Sequence, residues 1–266
     1  MTDIRKNEQP VILIAAYGTA QPEALKRLED IDRAVCQRFP GHEVRWALTS
    51  PFIMRALKKA GKTSLFTRET PLQNLEEVYA DLQRNGCARV ACQCLLVHEG
   101  SESDRVLKTP VGNLRVEYGL SLLTNPQNIE STIGAVASKF GGEGTATILV
   151  GHGSDRNPRS NVPFRYMDEY LRRHYVNTVV TMVHGSPSPD EVFPEIKKWG
   201  VKEVVFVPLM ITNSEHILHD VLGDEPVSWR RRLELPYRLE TSLGETPAVM
   251  KVYLDSLQTV LSKFDG

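Results

Sequence analysis

Three histidines, His152, His184 and His216, each stand at or shortly after the end of an apolar run of strand length, and Glu102 occupies a similar place earlier in the chain. Imidazole is the commonest protein ligand for borderline divalent ions, and its nitrogens suit Co, Ni, Fe and Zn alike. The intervals between these histidines are far too wide for a local zinc motif, so metal chemistry depends wholly on a fold that gathers them. His98, at the end of another apolar run, is a weaker candidate for the same site. His219, one helical turn from Glu215 and next to Asp220, reads as an outer support of a metal site or as an exposed residue. His42, after Pro40-Gly41, and His174, beside Arg172 and Arg173, read as solvated surface.

Other chemistries lack their signatures. The segment Gly151-His152-Gly153-Ser154-Asp155-Arg156 has no third glycine of the dinucleotide pattern and no P-loop lysine, which argues against nicotinamide and ATP. Gly-x-Ser-x-Gly is absent, so hydrolysis through Ser154 or Ser186 is disfavoured. Cys92 and Cys94 alternate onto one face of a strand with Cys87 just before it, without the spacing of a structural zinc site; buried inert thiols are expected. Arg156, Arg159 and Arg165 follow His152 and form a solvated helix face or a clamp for carboxylates. Arg230, Arg231 and Arg232 read as an exposed face.

The elements that must position these residues alternate between strand-like runs and amphipathic helical stretches, the signature of βα units around parallel sheets. Strands are expected over Val11–Tyr17, Glu43–Leu48, Ala88–His98 and Tyr118–Leu123, then over Ala146–Gly151, Val176–Val183, Val201–Met210 and, shorter, Tyr237–Thr241. Helices are expected from Pro22, over Phe52–Ala60, over Pro71–Arg84 with Thr70 as its cap, and near Pro163–Arg173, Asp190–Trp199, Glu215–Leu222 and Pro247–Lys263. Thr124-Asn125-Pro126-Gln127 carries turn chemistry that could join two lobes.

After that break the pattern restarts. Val11-Ile12-Leu13-Ile14-Ala15-Ala16-Tyr17-Gly18-Thr19 parallels Thr147-Ile148-Leu149-Val150-Gly151-His152-Gly153-Ser154. Gly86 to Gly200 and Glu102 to His216 are both offsets of 114 residues. A duplicated pair of α/β lobes accounts for both observations. Ligands in such sheets bind beyond the carboxyl ends of the strands, which would set Glu102 across a cleft from the three histidines.

Composition bounds the rest. With 266 residues, 41% of them hydrophobic, the chain can bury a substantial core. Lys+Arg 32 against Asp+Glu 33 gives a net charge of -1, without the basic footprint of a nucleic-acid binder. No apolar run approaches the ~20 residues of a spanning helix, so no membrane partner is expected. Arg5 and Lys6 before Val11–Tyr17 look like a minimal export signal, but Glu8 and Pro10 interrupt it and a first buried strand is the better reading. Four cysteines, too few and too clustered for a disulfide framework, fit a reducing cytoplasm.

Taken together, Tyr17-Gly18-Thr19, Leu48-Thr49-Ser50 with Ile53-Met54-Arg55, Thr70-Pro71-Leu72-Gln73-Asn74-Leu75, Gly151-His152-Gly153, Val207-Pro208-Leu209-Met210, His216 and Leu243-Gly244-Glu245-Thr246-Pro247-Ala248 resemble one family. It is the anaerobic sirohydrochlorin cobaltochelatase family, the CbiK type of class II chelatase, and the match runs in order over nearly the whole chain. The resemblance implies two similar Rossmann-like α/β lobes, over residues 1–125 and 126–244, with a cleft between them. A final helix over 245–266 is expected to pack back on the first lobe. The implied activity is insertion of Co2+ into sirohydrochlorin on the early-insertion route to cobalamin, with Fe2+ insertion giving sirohaem as a related capacity. A non-catalytic tetrapyrrole or metal carrier using the same cleft is the alternative.

Carried over by position, the family's metal-binding histidines fall on His152 and His216 and its cleft carboxylate on Glu102. Where the family often has a glutamate, this chain has His184; as a ligand it would make a three-histidine site with one negative charge fewer. Gly100-Ser101 stands where the family has Gly-Asp. His152 and Glu102 are the expected catalytic bases, and Tyr17, Arg55, Arg156 and Arg159 the expected contacts to the acidic macrocycle. No tightly bound cofactor is expected, the metal being a substrate, and association of the chain with itself is left open.

Overall fold

The computed structural model describes residues 9–213 and 216–265; Arg5, Lys6, Glu8 and Glu215, which enter the readings above, lie outside them. The chain divides into two compact units, one running to Leu122 and resuming at Met250, the other spanning Leu123–Val249.

The first unit is a parallel sheet of four strands. Val11–Ala16 (β1) is buried at every position, as expected of a strand covered on both faces. Then come α1 (Pro22–Arg38), β2 (Val44–Leu48) and α2 (Pro51–Lys59), followed by the short strands β3 (Ser64–Leu65) and β4 (Thr70–Pro71). α3 (Leu75–Arg84), β5 (Arg89–Leu95), α4 (Ser101–Lys108) and β6 (Arg115–Gly119) complete the stretch. The sheet order is β2-β1-β5-β6. Leu13, Val90 and Cys92 of the sheet pack with Leu75, Val78, Tyr79 and Leu82 of α3. Outside this sheet, β3 and β4 pair antiparallel as a small hairpin.

The second unit repeats the plan. It contains α5 (Pro126–Val136), β7 (Thr145–Gly153), α6 (Val162–His174), β8 (Thr178–His184), α7 (Pro189–Lys198), β9 (Glu203–Pro208), α8 (Trp229–Leu233) and β10 (Tyr237–Leu239). Its parallel sheet is ordered β8-β7-β9-β10. Numbered within its own unit, each sheet therefore reads 2-1-3-4, and β5 and β9 begin 114 residues apart, at Arg89 and Glu203. Ile148, Val150 and Phe206 meet Phe193 and Ile196 of α7 and Trp229 of α8 in its core. The last helix, α9 (Pro247–Ser262), belongs from Met250 onward to the first unit, where the buried Tyr253 hydroxyl donates to the Leu96 carbonyl at 2.7 Å.

Several expected elements are corrected. The third helix begins at Leu75, not Pro71, because Asn74 and Glu77 form a reciprocal capping box, each side chain accepting from the other's backbone N–H at 2.8 Å. Thr70–Pro71 is instead strand β4. The fourth strand lies over Arg115–Gly119, earlier than Tyr118–Leu123. Gln93 explains its end: its Nε2 donates to the Leu120 carbonyl at 3.0 Å, drawing that residue out of the ladder. Leu122 and Leu123 are apolar because they are buried in the following loop. Asn125-Pro126 starts helix α5, with Asn125 Oδ1 accepting from Asn128 N–H at 2.9 Å, where a turn was expected. The helix expected to end at Leu222 is present but short and wide, a π-helical turn over Ile217–Val221 closed by Leu222 N–H to the Ile217 carbonyl at 3.0 Å. Among the described residues no helix is long and apolar enough to cross a membrane.

Candidate metal centre

The second sheet brings its histidines together through strand order. β7 lies between β8 and β9, so the carboxyl ends of these three strands emerge side by side, at the point where the order of connection reverses. His152 is the penultimate residue of β7, and His184 is the last of β8, paired in register with Gly153. Gly153 permits this pairing: its φ is +64°, and a Cβ there would stand 1.9 Å from the His184 carbonyl oxygen. His216 follows β9 at the start of the wide turn. Ile217 and Val221 of that turn are fully buried in the core, which anchors it and leaves His216 and Asp220, one position earlier in each case, beside one another.

The three imidazoles form a nearly equilateral triangle, with ring centroids 5.3 Å apart for His152–His184, 4.8 Å for His152–His216 and 5.2 Å for His184–His216. Each ring offers a nitrogen within 4.8 Å of the others. A tetrahedral ion with bonds of about 2.0–2.1 Å needs ligand nitrogens about 3.3 Å apart, so the triangle admits an ion and would tighten around it. Among the described residues no other group of three His, Cys, Asp or Glu side chains gathers its ligand atoms this closely. His152 is exposed and the other two are half-buried, which leaves one side of the triangle open.

Oxygen atoms lie against the Nδ1 of every ring: the Gly153 carbonyl 2.9 Å from that of His152, Asp155 Oδ2 3.2 Å from that of His184, and Asp220 Oδ2 2.6 Å from that of His216. Asp155 sits on a loop fastened by the buried Asn161, whose Oδ1 accepts from Ser154 N–H at 2.8 Å and whose Nδ2 donates to the Ser154 carbonyl at 2.9 Å. Gly185 makes room for this clamp, since a Cβ there would lie 2.3 Å from Asn161 Nδ2. Asp155, Asp220 and Asn161 were not singled out by sequence as parts of a site. The available signal was the spacing His216 to Asp220, which places both side chains on one side of a helical turn.

The remaining candidates lie on several elements of the two units. Arg156 and Arg159 are exposed on the loop after Asp155, and Arg165 donates to the Ser186 carbonyl at 3.4 Å. On the first unit, Tyr17 follows β1 and is half-exposed, Arg55 is exposed on α2, and Glu102 lies in the first turn of α4. Glu102 Oε2 is buried, with no hydrogen-bond partner among the described residues. His98 lies beyond the end of β5 and is half-buried, its Nδ1 2.8 Å from the Glu99 carbonyl, and burial lowers its pKa. His174 and His219 are exposed.

Two surface readings need correction. His42 is half-buried against the Pro10 carbonyl, 2.8 Å from Nδ1. Arg230 and Arg232 are half-buried and paired with Asp224 and Asp190, Arg232 also lying 4.9 Å over the Phe193 ring; only Arg231 is exposed. Cys92 and Cys94 are buried, and burial pushes the Cys94 thiol up to about 12 and that of Cys92 well above its usual range.

Comparison with known proteins bears on this arrangement. The family model for cobalt chelatase (CbiK) matches residues 10–262. The sirohydrochlorin cobaltochelatase CbiKC of Nitratidesulfovibrio vulgaris is 28% identical, over 96% of this chain and 91% of that protein. The sirohydrochlorin cobaltochelatase of Salmonella typhimurium is 22% identical, over 94% of this chain and 96% of that one. Among solved structures, SirB from Bacillus subtilis with Fe3+ superposes with a TM-score of 0.64 at 16% identity, covering 97% of this chain and 98% of that one.

Proposed function

The chain belongs to the cobalt chelatase (CbiK) family, and from that premise we propose that it inserts Co2+ into sirohydrochlorin, with His152, His184 and His216 as the metal-delivering set. One observation carries the site assignment: three imidazoles converge from adjacent strand ends around one open side.

Metal insertion replaces two pyrrole N–H protons of the macrocycle by one divalent ion. Histidines suit the delivery step because they capture a borderline ion yet release it stepwise as ring nitrogens take their place. A closed, saturated shell would block that exchange, whereas an open position lets the first ring nitrogen bind before any imidazole leaves. An imidazole so released has a free nitrogen lone pair and is suited to accept one of the two pyrrole protons. Glu102, whose buried Oε2 has no hydrogen-bond partner among the described residues, is the candidate acceptor for the other. The three-histidine set favours borderline ions over oxygen-preferring ones, so Fe2+ is the second metal to test. Arg156 and Arg159, next in sequence to the Asp155 loop, are proposed to meet the acidic side chains of the substrate, and Tyr17 and Arg55 are further candidates for substrate contact.

The test follows the absorption spectrum of sirohydrochlorin with Co2+ and purified protein over time. Turnover beyond one equivalent is expected. Conversion limited to stoichiometric binding would indicate a carrier, and no spectral change would refute both readings. His152→Ala and His216→Ala should each abolish most insertion while leaving the circular-dichroism spectrum unchanged; near-normal rates in both would sink the assignment.

A further inference from the structure

We infer that Asp155 and Asp220 are positioning residues that present the Nε2 atoms of His184 and His216 to the metal; the inference rests on the reading of the three histidines as its ligands. A neutral imidazole carries one proton, so fixing it on one nitrogen leaves the lone pair on the other. An ionised carboxylate only accepts hydrogen bonds. With Asp155 Oδ2 at 3.2 Å from His184 Nδ1 and Asp220 Oδ2 at 2.6 Å from His216 Nδ1, the neutral rings carry their protons on Nδ1. Their Nε2 lone pairs are then the atoms available to an ion, and each ring is oriented before the ion arrives.

The setting favours this role over simple stabilisation. The side chains of Asp155 and Asp220 are 68% and 45% exposed, and pairs so open to water add little to the stability of a fold. Yet the backbone around both is built tightly. Asn161 locks the loop that carries Asp155, and the buried Ile217 and Val221 lock the wide turn that carries Asp220. Carboxylates behind histidine ligands raise their basicity as well as orienting them, and losing such a partner typically weakens metal binding about 10–100-fold.

Asparagine is the informative replacement, because its amide presents either an acceptor or a donor and carries no charge. In the full-length protein, Asp155→Asn and Asp220→Asn should each weaken Co2+ binding, measured by calorimetry and by the visible spectrum of the bound ion, by about 10–100-fold. Their metal-free melting temperatures should match the parent. Imidazole 15N shifts of the metal-free parent at alkaline pH should report Nδ1–H tautomers for His184 and His216, with mixed tautomers at the affected ring in each variant. Co2+ affinities within about twofold of the parent, or Nε2–H tautomers in the parent, would overturn the inference. His184→Ala and His216→Ala, measured alongside, separate the two readings. If they bind Co2+ normally the ligand assignment fails, whereas if they lose it and the Asn variants do not, only the role of the carboxylates fails.

Discussion

At Gly153 a positive φ and a close carbonyl meet one residue beyond His152. Gly153→Ala should therefore cost about 1–3 kcal/mol from the strained backbone and displace the end of β8 that carries His184. Urea unfolding should register the first effect and a Co2+ titration the second. The thiols offer a separate check on burial. Cys92 and Cys94 should resist alkylation in the native protein and react once it is unfolded in denaturant, as read by mass spectrometry. The histidines of the cluster were legible in the sequence because His152 and His184 stand at the ends of recognisable buried strands and His216 follows one by a short loop. Asp155 and Asp220 were not, since an acidic residue in an exposed loop looks like any solvated charge until the fold sets it against an imidazole nitrogen.

Between elements, Asp32 of α1 is the centre of a buried polar cluster. Almost fully buried, it accepts from Trp46 Nε1 of β2 at 2.7 Å and from Arg68 Nε and Nη2 at 2.6 and 2.7 Å, while Arg68 also donates to the Val44 carbonyl at 2.8 Å. Arg68 lies in the turn between β3 and β4, so this pair ties the hairpin to the sheet. Asp32→Ala should cost about 3 kcal/mol, the low end for a broken buried pair because Arg68 keeps some access to water. Asn74→Ala, which removes one half of a capping box, should cost about 1 kcal/mol. Equilibrium denaturation of both variants checks the order. The hairpin escaped the sequence reading because its two-residue strands are too short for periodicity to show. The cap at Asn74 was overlooked because Thr70-Pro71 offered an equally good local start; the pairing of Pro71 with Ser64 takes that start away, and the reciprocal capping box fixes the helix at Leu75.

For the whole molecule, the alternation of strands and helices was readable in outline, though α4, α5 and α8 went unread, and the likeness of the two halves was readable as well. The shared strand order was not, because parallel neighbours are far apart in sequence and their apolar runs are interchangeable as text. Stability should also respond to acid through His98. Burial lowers its pKa from the ordinary 6.5, so the unfolded chain takes up the proton first as the pH falls. Its contribution is intact above pH 6.5 and declines as the pH drops from there towards the lowered folded value. His98→Gln should flatten that part of a plot of urea midpoint against pH. One more consequence comes from the return of the chain to its first unit at Met250. Domains generally fold in the order in which they leave the ribosome. Here the stretch from Leu123 to Val249 emerges whole, while the earlier-made unit still lacks Tyr253 to meet its Leu96 carbonyl. The half that gathers the histidines is thus the first to have all its parts, and the half translated first is the last to close.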